Sequence, residues 1–577
     1  MALSEIVDLE LKACADQVSY VLLDDQETRL QMLDAWGKIP DGMLSGQFVS
    51  LGNYDQCINI SELTPVGAIR GKYCLVKIVN LQQTFAGYGA CIPEVCDVKL
   101  PFGQEIVCQT KDSYTTLDTD DYTFLTVLGV FAFIMFLSTV YDWYTRKHEL
   151  KQNAYCILFS VLTNGEKLFE TKIGPDQISC LAGIRVISMI WIIASHRYFV
   201  MKLLPIRNSL YAFSWLFSHE SFYVQAAYLA VDTFLYLGGF VLAYQCFKNR
   251  NKLALTVPTI PYFYMHRLLR LLPPMTVIFF VHLTILRRMS SGPLYADMVE
   301  ILRRPCIDHW LPYFLFYQNY KYNNFQSECL AHTWYLSVDF QLYLFTPLIL
   351  IPATRLLQQN ERFKCYCLFG FALLLSILVP MCIMFGIPYE YYHTHTRISP
   401  YIMGLIMGLF MVENKDRTFK IPKKLYYVIW MLTLITMCVC AYYIQNTTVF
   451  TNDYLNNNMF VTFSRPAWSL CVSWVIFSCV NQNTKTLNKF LSNSLFIVMG
   501  RLSYSMYLLQ VVVLVFTMGS TRTPMLLSFW PNLHGSVCDI FLTTLLSVIS
   551  VLSFESPIIA LAKMLLHKKE PQMTKNH

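Results

Sequence analysis

Two residues that could do chemistry lie in the stretch GIRVISMIWIIASHRYF, residues 183–199, which otherwise has the composition of a membrane-spanning helix. The spacing from Arg185 to His196 returns both to nearly the same helix face, with roughly 16 Å between them along the axis. Ionisable residues are costly in a bilayer and normally face a protein interior or a wet cavity. A neutral imidazole in a cavity can take a proton from a hydroxyl or thiol, although a lone histidine is more often structural.

Other polar residues also fall in apolar runs. Arg267 and Arg270, in YMHRLLRLLPPM, share one helix face. Two guanidinium groups suit the phosphates of a nucleotide-bearing co-substrate, and they equally suit lipid headgroups. His332 and Asp339 in AHTWYLSVDFQLYL are again nearly on one face. The remaining polar positions, for which structural pairing between helices is the alternative, are Asp232, Arg397, Arg465, Arg501, Ser503, Ser505 and Gln510.

The composition predicts that membrane helices position these residues. Hydrophobic residues make up 55% and charged residues 14% of the 577 residues, and the mean hydropathy is +0.40; soluble domains carry about 25% charge. The net charge of +7 is interpreted as loop bias that sets orientation, and we expect no nucleic-acid partner. No Walker loop, GxGxxG, HExxH or GxSxG occurs in a fitting context, which argues against an ATPase, a dehydrogenase, a zinc protease and an α/β-hydrolase.

The fold class we predict is an all-α multi-pass membrane protein of about eleven transmembrane helices, with a small cysteine-rich N-terminal domain on the lumenal or extracellular side. Basic residues Arg146, Lys147 and Lys151 mark the cytosolic end of the first helix, and the C-terminus is expected in the cytosol. Four arginines depart from the rule that basic residues lie on the cytosolic side, because they fall on the predicted outer side: Arg287, Arg288, Arg303 and Arg304. The expected spans are 122–144, 178–199, 223–245, 270–287, 334–353, 366–386, 398–413, 425–444, 460–480, 495–517 and 536–562.

The cysteines indicate an oxidised N-terminal domain. Six precede residue 110, which allows up to three disulfides with about fifteen pairings, against the alternative of free thiols in a cytosolic domain. Cys306 and Cys329 fall in one later loop and could form a further disulfide. Two N-glycosylation sequons, at Asn59 and Asn446, fall on the predicted lumenal side. The N-terminus is acidic and lacks the apolar core of a signal peptide, so we expect a lost signal or translocation by the first membrane helix. The disulfide candidates are Cys14, Cys57, Cys74, Cys91, Cys96, Cys108, Cys306 and Cys329.

Several motifs, in order, resemble one known family. From about residue 176 the chain is similar to the integral-membrane acyltransferase-3 family, through Arg185 and His196, VDTFLYLGGF, RLLRLLPP and WYLSVDFQLY. The N-terminal segment resembles the cysteine-rich domain of the nose-resistant-to-fluoxetine branch, through MLDAWGKIPDGMLSGQFVSLGNYDQC, GKYC and CIPEVC. We therefore expect four parts: that domain at 1–118, the first transmembrane helix and a cytosolic linker at 119–175, an acyltransferase-3 membrane domain of about ten helices at 176–565, and a cytosolic tail at 566–577.

The resemblance implies transfer of an acyl group, often acetyl, from a cytosolic acyl-CoA co-substrate to a hydroxyl acceptor, with no permanently bound cofactor and no metal. In that scheme His196 is the general base, Arg185 helps to position the donor, and Arg267 and Arg270 hold the phosphates of coenzyme A. Substrate-binding roles extend to Trp334, Asp339, Asp232 and Ser505. Many relatives have a histidine where this chain has Gln510, which cannot exchange protons.

Three hypotheses follow. The first is a membrane-bound O-acyltransferase acting on a lipid, glycan or small molecule, and the retention of Arg185 and His196 favours it. The second is a transporter or binding protein for lipids or small apolar molecules, which Gln510 favours, and the third is a receptor whose working part is the N-terminal domain. Membrane lipids are expected partners in each, and residence is predicted in the endoplasmic reticulum or plasma membrane. The acceptor and the oligomeric state stay open.

Overall fold

A computed structural model describes residues 2–79, 85–97, 104–172, 174, 177–248, 259–321, 328–384, 392–415, 417–449, 454–481 and 484–567. The N-terminal domain is mixed rather than all-α. Its helices are α1 (Ala2–Leu23), α2 (Gln26–Ala35), α3 (Tyr54–Asn59) and α4 (Asp112–Thr115). Its strands are β1 (Val49–Ser50), β2 (Ser61–Thr64), β3 (Gly67–Val79), β4 (Phe85–Pro93) and β5 (Gln104–Gln109).

Strand β3 organises the sheet of this domain. It pairs antiparallel with β2, β4 and β5, and β1 adds to β4 in parallel. Three disulfides confirm the prediction of an oxidised domain and select one pairing. Cys74 faces Cys108 across the β3–β5 ladder and is bonded to it. The other bonds, which join α3 to β4 and α1 to the segment after β4, are Cys57–Cys91 and Cys14–Cys96.

The rest of the described chain is helical. The long helices are α5 (Thr119–Lys147), α7 (Cys180–Met201), α10 (Tyr228–Lys248), α11 (Ile260–Leu283), α15 (Trp334–Phe345), α16 (Pro347–Gln358), α17 (Arg362–Met384), α18 (Ile398–Glu413), α19 (Lys423–Val449), α20 (Tyr454–Val480), α22 (Ser494–Gly519), α23 (Phe529–Ser550) and α24 (Ser556–His567). A π-helical turn, Val551–Glu555, joins the last two. The remaining helices are α6 (Val161–Phe169), α8 (Ser209–Leu216), α9 (Phe222–Gln225), α12 (Tyr295–Asp308), α13 (Trp310–Phe314), α14 (Gln318–Lys321) and α21 (Lys485–Leu491).

Nine helical segments of the described residues are long and apolar enough to cross a membrane. Two of the eleven predicted spans are not among them. Helix α18 has only 16 residues, and α11 carries Arg267 and Arg270 together with Pro273 and Pro274 inside the helix. The number eleven therefore stays a prediction, although the family and these helices establish an integral membrane protein.

One predicted span limit is wrong. The helix predicted at 270–287 begins at Ile260 and ends at Leu283, because Pro261 in its first turn favours a helix start there. The span predicted at 334–353 falls within one candidate membrane segment, Ala331–Gln358, in which the helix is divided between α15 and α16. Pro347 has no N–H to continue the ladder, and the Thr346 hydroxyl instead donates to the Leu342 carbonyl at 2.7 Å.

The N-terminal domain packs on one end of the membrane helices, called here the domain end; the opposite end is the far end. Arg522, after α22, pairs with Asp55 at 2.9 Å. The Ser209 hydroxyl donates to the Gly46 carbonyl at 2.6 Å, and Lys77 of β3 pairs with Asp297 of α12. Buried apolar residues of both parts form one continuous core.

Acidic partners account for two of the arginines that break the loop-charge rule. Arg287 and Arg288 both lie within ion-pair distance of Asp118 and Asp121, at the start of α5. Asp121 also accepts from the Asp118 backbone N–H at 3.0 Å, which caps the helix. The positive charge of Arg287 and Arg288 is thus balanced by carboxylates at the domain end.

A fourth disulfide, Cys306–Cys329, confirms the predicted pair in the loop after α11.

Candidate active site

Helix α7 positions both residues with which the sequence analysis began. Its Val186, Met189 and Ile193 are buried among neighbouring helices, whereas Arg185 and His196 remain partly accessible. Close packing requires Gly183, because a Cβ there would lie 2.4 Å from the Leu491 carbonyl oxygen. Arg185 lies near the start of α7, toward the far end, and His196 lies near its end, toward the domain end.

A hydrogen bond to Gln510 of α22 sets the tautomer of His196. The Gln510 amide NH₂ donates to the Tyr507 carbonyl at 3.1 Å, which leaves its Oε1 toward His196 Nδ1 at 3.1 Å. Because Oε1 can only accept, Nδ1 must carry the hydrogen, and the lone pair is on Nε2. Gln510 is fully buried. It cannot exchange a proton, but it holds the histidine in the form that a general base requires.

Three arginines lie close together toward the far end. Arg185 interacts electrostatically with Arg267, Arg270 and the Tyr335 hydroxyl. Among the described residues, neither Arg185 nor Arg270 has a hydrogen-bond or ion-pair partner. Such a concentration of positive charge inside a helical bundle is unfavourable without an anion. The cluster therefore has the chemistry of an anion site.

Arg267 differs from the other two because it has a carboxylate. It forms an ion pair with Asp339 of α15, and its guanidinium lies over the Tyr343 ring at 5.0 Å. Asp339 in turn lies against Gly238, where a Cβ would be 3.2 Å from its Oδ1. These two predicted site residues are thus brought together, and Asp339 orients Arg267 beside the unpaired arginines.

Two other predicted site residues belong to a separate ion-pair cluster. Asp232 of α10 binds Arg397 at 2.6 Å, and Arg465 of α20 approaches its other oxygen at 4.0 Å. The Trp334 ring lies 5.4 Å from the Arg397 guanidinium. Asp232 and Arg397 are almost completely buried. This arrangement joins three helices, and the substrate-binding role of Asp232 and Trp334 stays a prediction.

Ser505 forms a hydrogen bond with a carboxylate that the sequence analysis missed. Its hydroxyl donates to Glu555 at 3.0 Å, and Glu555 is 6% exposed. Glu555 ends the π-helical turn between α23 and α24 and interacts electrostatically with Arg270. π-Helical turns are frequent at functional sites. The sequence signal was a lone glutamate in the apolar run SVISVLSFESPII.

Tyr335 and Tyr507 connect the two ends of the site and were also missed. The two rings are 5.7 Å apart. Tyr335 interacts with Arg185, Arg267 and Asp339, and Tyr507 adjoins Gln510 through its carbonyl. Tyrosines in apolar helices are common and carry little signal in sequence. Their position makes one continuous path from the arginine cluster to His196.

Several predicted residues lie apart from this path. Arg501 donates to the carbonyls of Lys167 and Leu168 at the end of α6, at 2.9 and 2.7 Å, and so holds that helix. Asn59 is exposed at the end of α3, whereas the Asn446 side chain lies outside the described residues. Glycosylation at both sequons stays a prediction.

Comparison with known proteins assigns the site to a family. An acyltransferase-3 family model, described as an acyltransferase domain, matches residues 178–552, and this match covers more than half of the chain. The chain belongs to the acyltransferase-3 family. A second model, the N-terminal domain of nose resistant-to-fluoxetine proteins, matches residues 14–99.

The names of two relatives correspond to the two family models that match this chain. Nose resistant to fluoxetine protein 6 of Caenorhabditis elegans is 22% identical over 683 aligned positions, which cover 97% of this chain and 82% of that protein. A Staphylococcus aureus protein provisionally named an O-acetyltransferase is 26% identical over 216 positions, or 36% of this chain and 34% of that protein. No solved structure matches the chain. Among the described residues there is no cluster of three ligands that could hold a metal ion.

Proposed function

We propose that this acyltransferase-3 protein is a membrane-bound O-acyltransferase that transfers an acyl group, acetyl in the first instance, from acyl-CoA to a hydroxyl of a lipid, glycan or small molecule. The observation that carries the proposal is the hydrogen-bonded state of His196. Its Nδ1–H donates to Gln510, and its basic Nε2 is on a partly accessible side chain. This is the form that can remove a proton from an acceptor hydroxyl.

The arginine cluster supports a donor that carries phosphates. Neither Arg185 nor Arg270 forms a described ion pair, although the Glu555 carboxylate interacts electrostatically with Arg270. Guanidinium groups bind phosphate oxygens in a bidentate manner. Asp339 holds Arg267 beside them. We assign coenzyme A to this far end of the bundle, which we place in the cytosol because basic residues flank the helices there.

The chemical step needs one base and one donor for the oxyanion. His196 Nε2 takes the proton of the acceptor hydroxyl while that oxygen attacks the thioester carbonyl carbon. We assign stabilisation of the developing oxyanion to the Tyr335 hydroxyl, whose ring lies 5.7 Å from that of Tyr507 between the arginine cluster and His196. The C–S bond then breaks, and the coenzyme A sulfur leaves with the proton from His196. An acyl-CoA and an alcohol thus give an ester and free coenzyme A.

The test supplies radiolabelled acetyl-CoA to the far-end face of sealed vesicles that contain the full-length protein. We expect label in a lipid, glycan or protein fraction, and we expect His196→Ala to reduce it by about 10²–10⁴-fold, the usual contribution of a general base. His534→Ala is the matched control, because that histidine is exposed and distant in sequence from the site.

The possible outcomes separate the roles. Equal labelling by wild type and His196→Ala would remove His196 as the base. Absence of label from wild type, with acetyl-CoA and also with a longer-chain acyl-CoA, would contradict the transferase proposal. Loss of activity in His534→Ala as well would attribute the effect to damage of the fold.

A further inference from the structure

Helix α8, at the domain end, exposes apolar side chains although it lies outside the membrane-spanning helices. Its sequence, SLYAFSWL, contains no charged residue. Trp215 stacks on Tyr198 of α7, with the ring centroids 5.4 Å apart, and this contact fixes the helix on the core. Its other large side chains, Leu210, Tyr211 and Phe213, are exposed, the last at 67%. An exposed apolar patch of this kind indicates contact with a protein, a ligand or a membrane.

Two contacts place α8 at the level where membrane spans end. Before α8, the Asn208 side-chain NH₂ donates to the Leu527 carbonyl at 2.9 Å, and Leu527 immediately precedes the candidate span that begins with α23. After α8, the His219 ring stacks on the Tyr442 ring at 5.3 Å. Tyr442 is in the last turn of the candidate span in α19. Helix α8 therefore lies at the boundary of the membrane on the domain end.

Aromatic residues mark the same level on the neighbouring helices. Phe529 and Trp530, at the start of α23, are exposed, and so is Tyr443, next to Tyr442 in α19. Aromatic side chains, Tyr and Trp above all, are enriched where a membrane meets water. Arg207, two residues before α8, is exposed at this level as well, and its guanidinium suits a lipid phosphate. An apolar helix in this position lies in the boundary between headgroups and acyl chains.

A turn of the N-terminal domain lies directly on the start of α8. It is the 3₁₀ helix Met43–Ser45, between two glycines with left-handed backbone, Gly42 at φ 82° and Gly46 at φ 91°. The Ser209 hydroxyl donates to the Gly46 carbonyl at 2.6 Å. A Cβ on Gly46 would lie 2.8 Å from the Leu210 backbone nitrogen. The backbones of the turn and of α8 are thus in close contact.

The side chains of this turn continue the apolar patch of α8. Leu44 is 97% exposed, and Met43 and Ile39 are exposed too. Only two residues separate Leu44 from Gly46, so that their Cα atoms are at most about 7 Å apart. Leu44 therefore lies beside the start of α8, at the level of the membrane boundary. Asp41, the charged residue next to the turn, is exposed, as a residue among hydrated headgroups must be.

We propose that α8 and the turn Gly42–Gly46 form one lipid-contacting surface, by which the N-terminal domain rests in the domain-end leaflet of the bilayer. The occupant is phospholipid: its acyl chains contact Leu44 and Phe213, and its phosphate contacts Arg207. Continuity of this surface with the exposed aromatic ends of α19 and α23 favours the leaflet over a second copy of the chain. The surface does not depend on acyl transfer.

The experiment introduces the photoreactive residue p-benzoylphenylalanine into the full-length protein, in nanodiscs of phosphatidylcholine with radiolabelled acyl chains. Leu44→p-benzoylphenylalanine tests the turn, and Phe213→p-benzoylphenylalanine tests α8; both side chains are exposed, so neither change removes core packing. The matched control is Leu63→p-benzoylphenylalanine, because Leu63 is 92% exposed in β2. It lies opposite Ala68, nine residues along β3 from Lys77, or about 30 Å from the contact of that strand with α12.

We expect the variants at positions 44 and 213 to incorporate about tenfold or more lipid label than the variant at 63, since only residues within the acyl boundary meet lipid C–H bonds. Equal unfolding temperatures of the variants and wild type establish that each is folded. Label at position 44 no higher than at 63 overturns the surface. Crosslinked dimers in place of lipid label at position 44 would assign the turn to a second copy of the chain and would equally overturn it.

Discussion

Two sets of arginines inside the helical bundle differ in what balances their charge. Arg397 and Arg197 each meet a buried carboxylate, Asp232 and Asp539, at 2.6 Å. Arg185 has no carboxylate partner among the described residues and adjoins other arginines. The first arrangement joins helices from distant parts of the chain. The second is stable only with a ligand or water to share the charge, and it therefore indicates a binding site.

The comparison shows why residue type alone is a poor guide in a membrane helix. A buried ion pair is expensive to break because the remaining charge is left without a partner. Replacing an arginine that has no ion-pair partner should cost little stability unless a ligand is bound. Stability and activity should therefore respond in opposite ways to mutation of the two sets.

The largest effect is expected from Arg397→Leu, which leaves buried Asp232 with only the longer contact to Arg465 at 4.0 Å. The loss of stability should be about 3–5 kcal/mol, enough to remove most folded protein. Folded yield and unfolding temperature in detergent measure it. The double variant with Asp232→Asn should recover part of the loss, and a stable single variant with normal yield would contradict a structural role for the pair.

Arg185→Gln tests the unpaired set. We expect the unfolding temperature to stay the same, the KM for acetyl-CoA to rise, and kcat/KM to fall by about 10–100-fold as a contact with the donor phosphates is lost. Steady-state kinetics with varied acetyl-CoA measure this. Arg501→Gln serves as control, since Arg501 binds only the α6 carbonyls among described groups and should affect stability without changing KM.

Glu328 is a buried acidic residue outside the spans, and it should make the stability of the protein depend on pH. It is 7% exposed with no described cation beside it, and burial raises its pKa from the ordinary 4.5 to about 8. Between these values the folded protein holds a proton that the unfolded chain has lost. Stability should therefore fall as pH rises through this window, by at most about 1.4 kcal/mol per pH unit.

The measurement for Glu328 is the unfolding temperature at several pH values across that window, for wild type and Glu328→Gln. The variant keeps the shape of the protonated acid and should lose this part of the pH dependence. Identical profiles for the two proteins would show that Glu328 is ionised in the folded state.

The smallest effect is expected at the interface with the N-terminal domain. Asp55→Asn removes an ion pair with Arg522 in which the side chains are 54% and 37% exposed. Exposed pairs contribute about 0–1 kcal/mol and are screened by salt. The unfolding temperature at low and high salt measures it. A loss larger than that of Arg397→Leu would reverse the contrast between buried and exposed pairs.

Local patterns predicted much of this molecule. Runs of apolar residues located most membrane helices, since each span must satisfy its own backbone in lipid, and the even set of early cysteines predicted an oxidised domain. The helix predicted at 270–287 starts ten residues earlier, and Asp339, distant in sequence, matches the charge of Arg267 within that added part. The sheet of the N-terminal domain was not predicted, although its strand β3 has 13 residues.

The membrane class, the family, and the spacing that puts Arg185 and His196 on one face could be read from the amino-acid chain, because each depends on residues near one another in it. Which charges are paired and which are not follows from the folded arrangement of the helices. Asp232 and Arg397 are 165 positions apart, and His196 and Gln510 are 314 apart. Packing of distant helices selects such partners. The same packing sets the tautomer of His196.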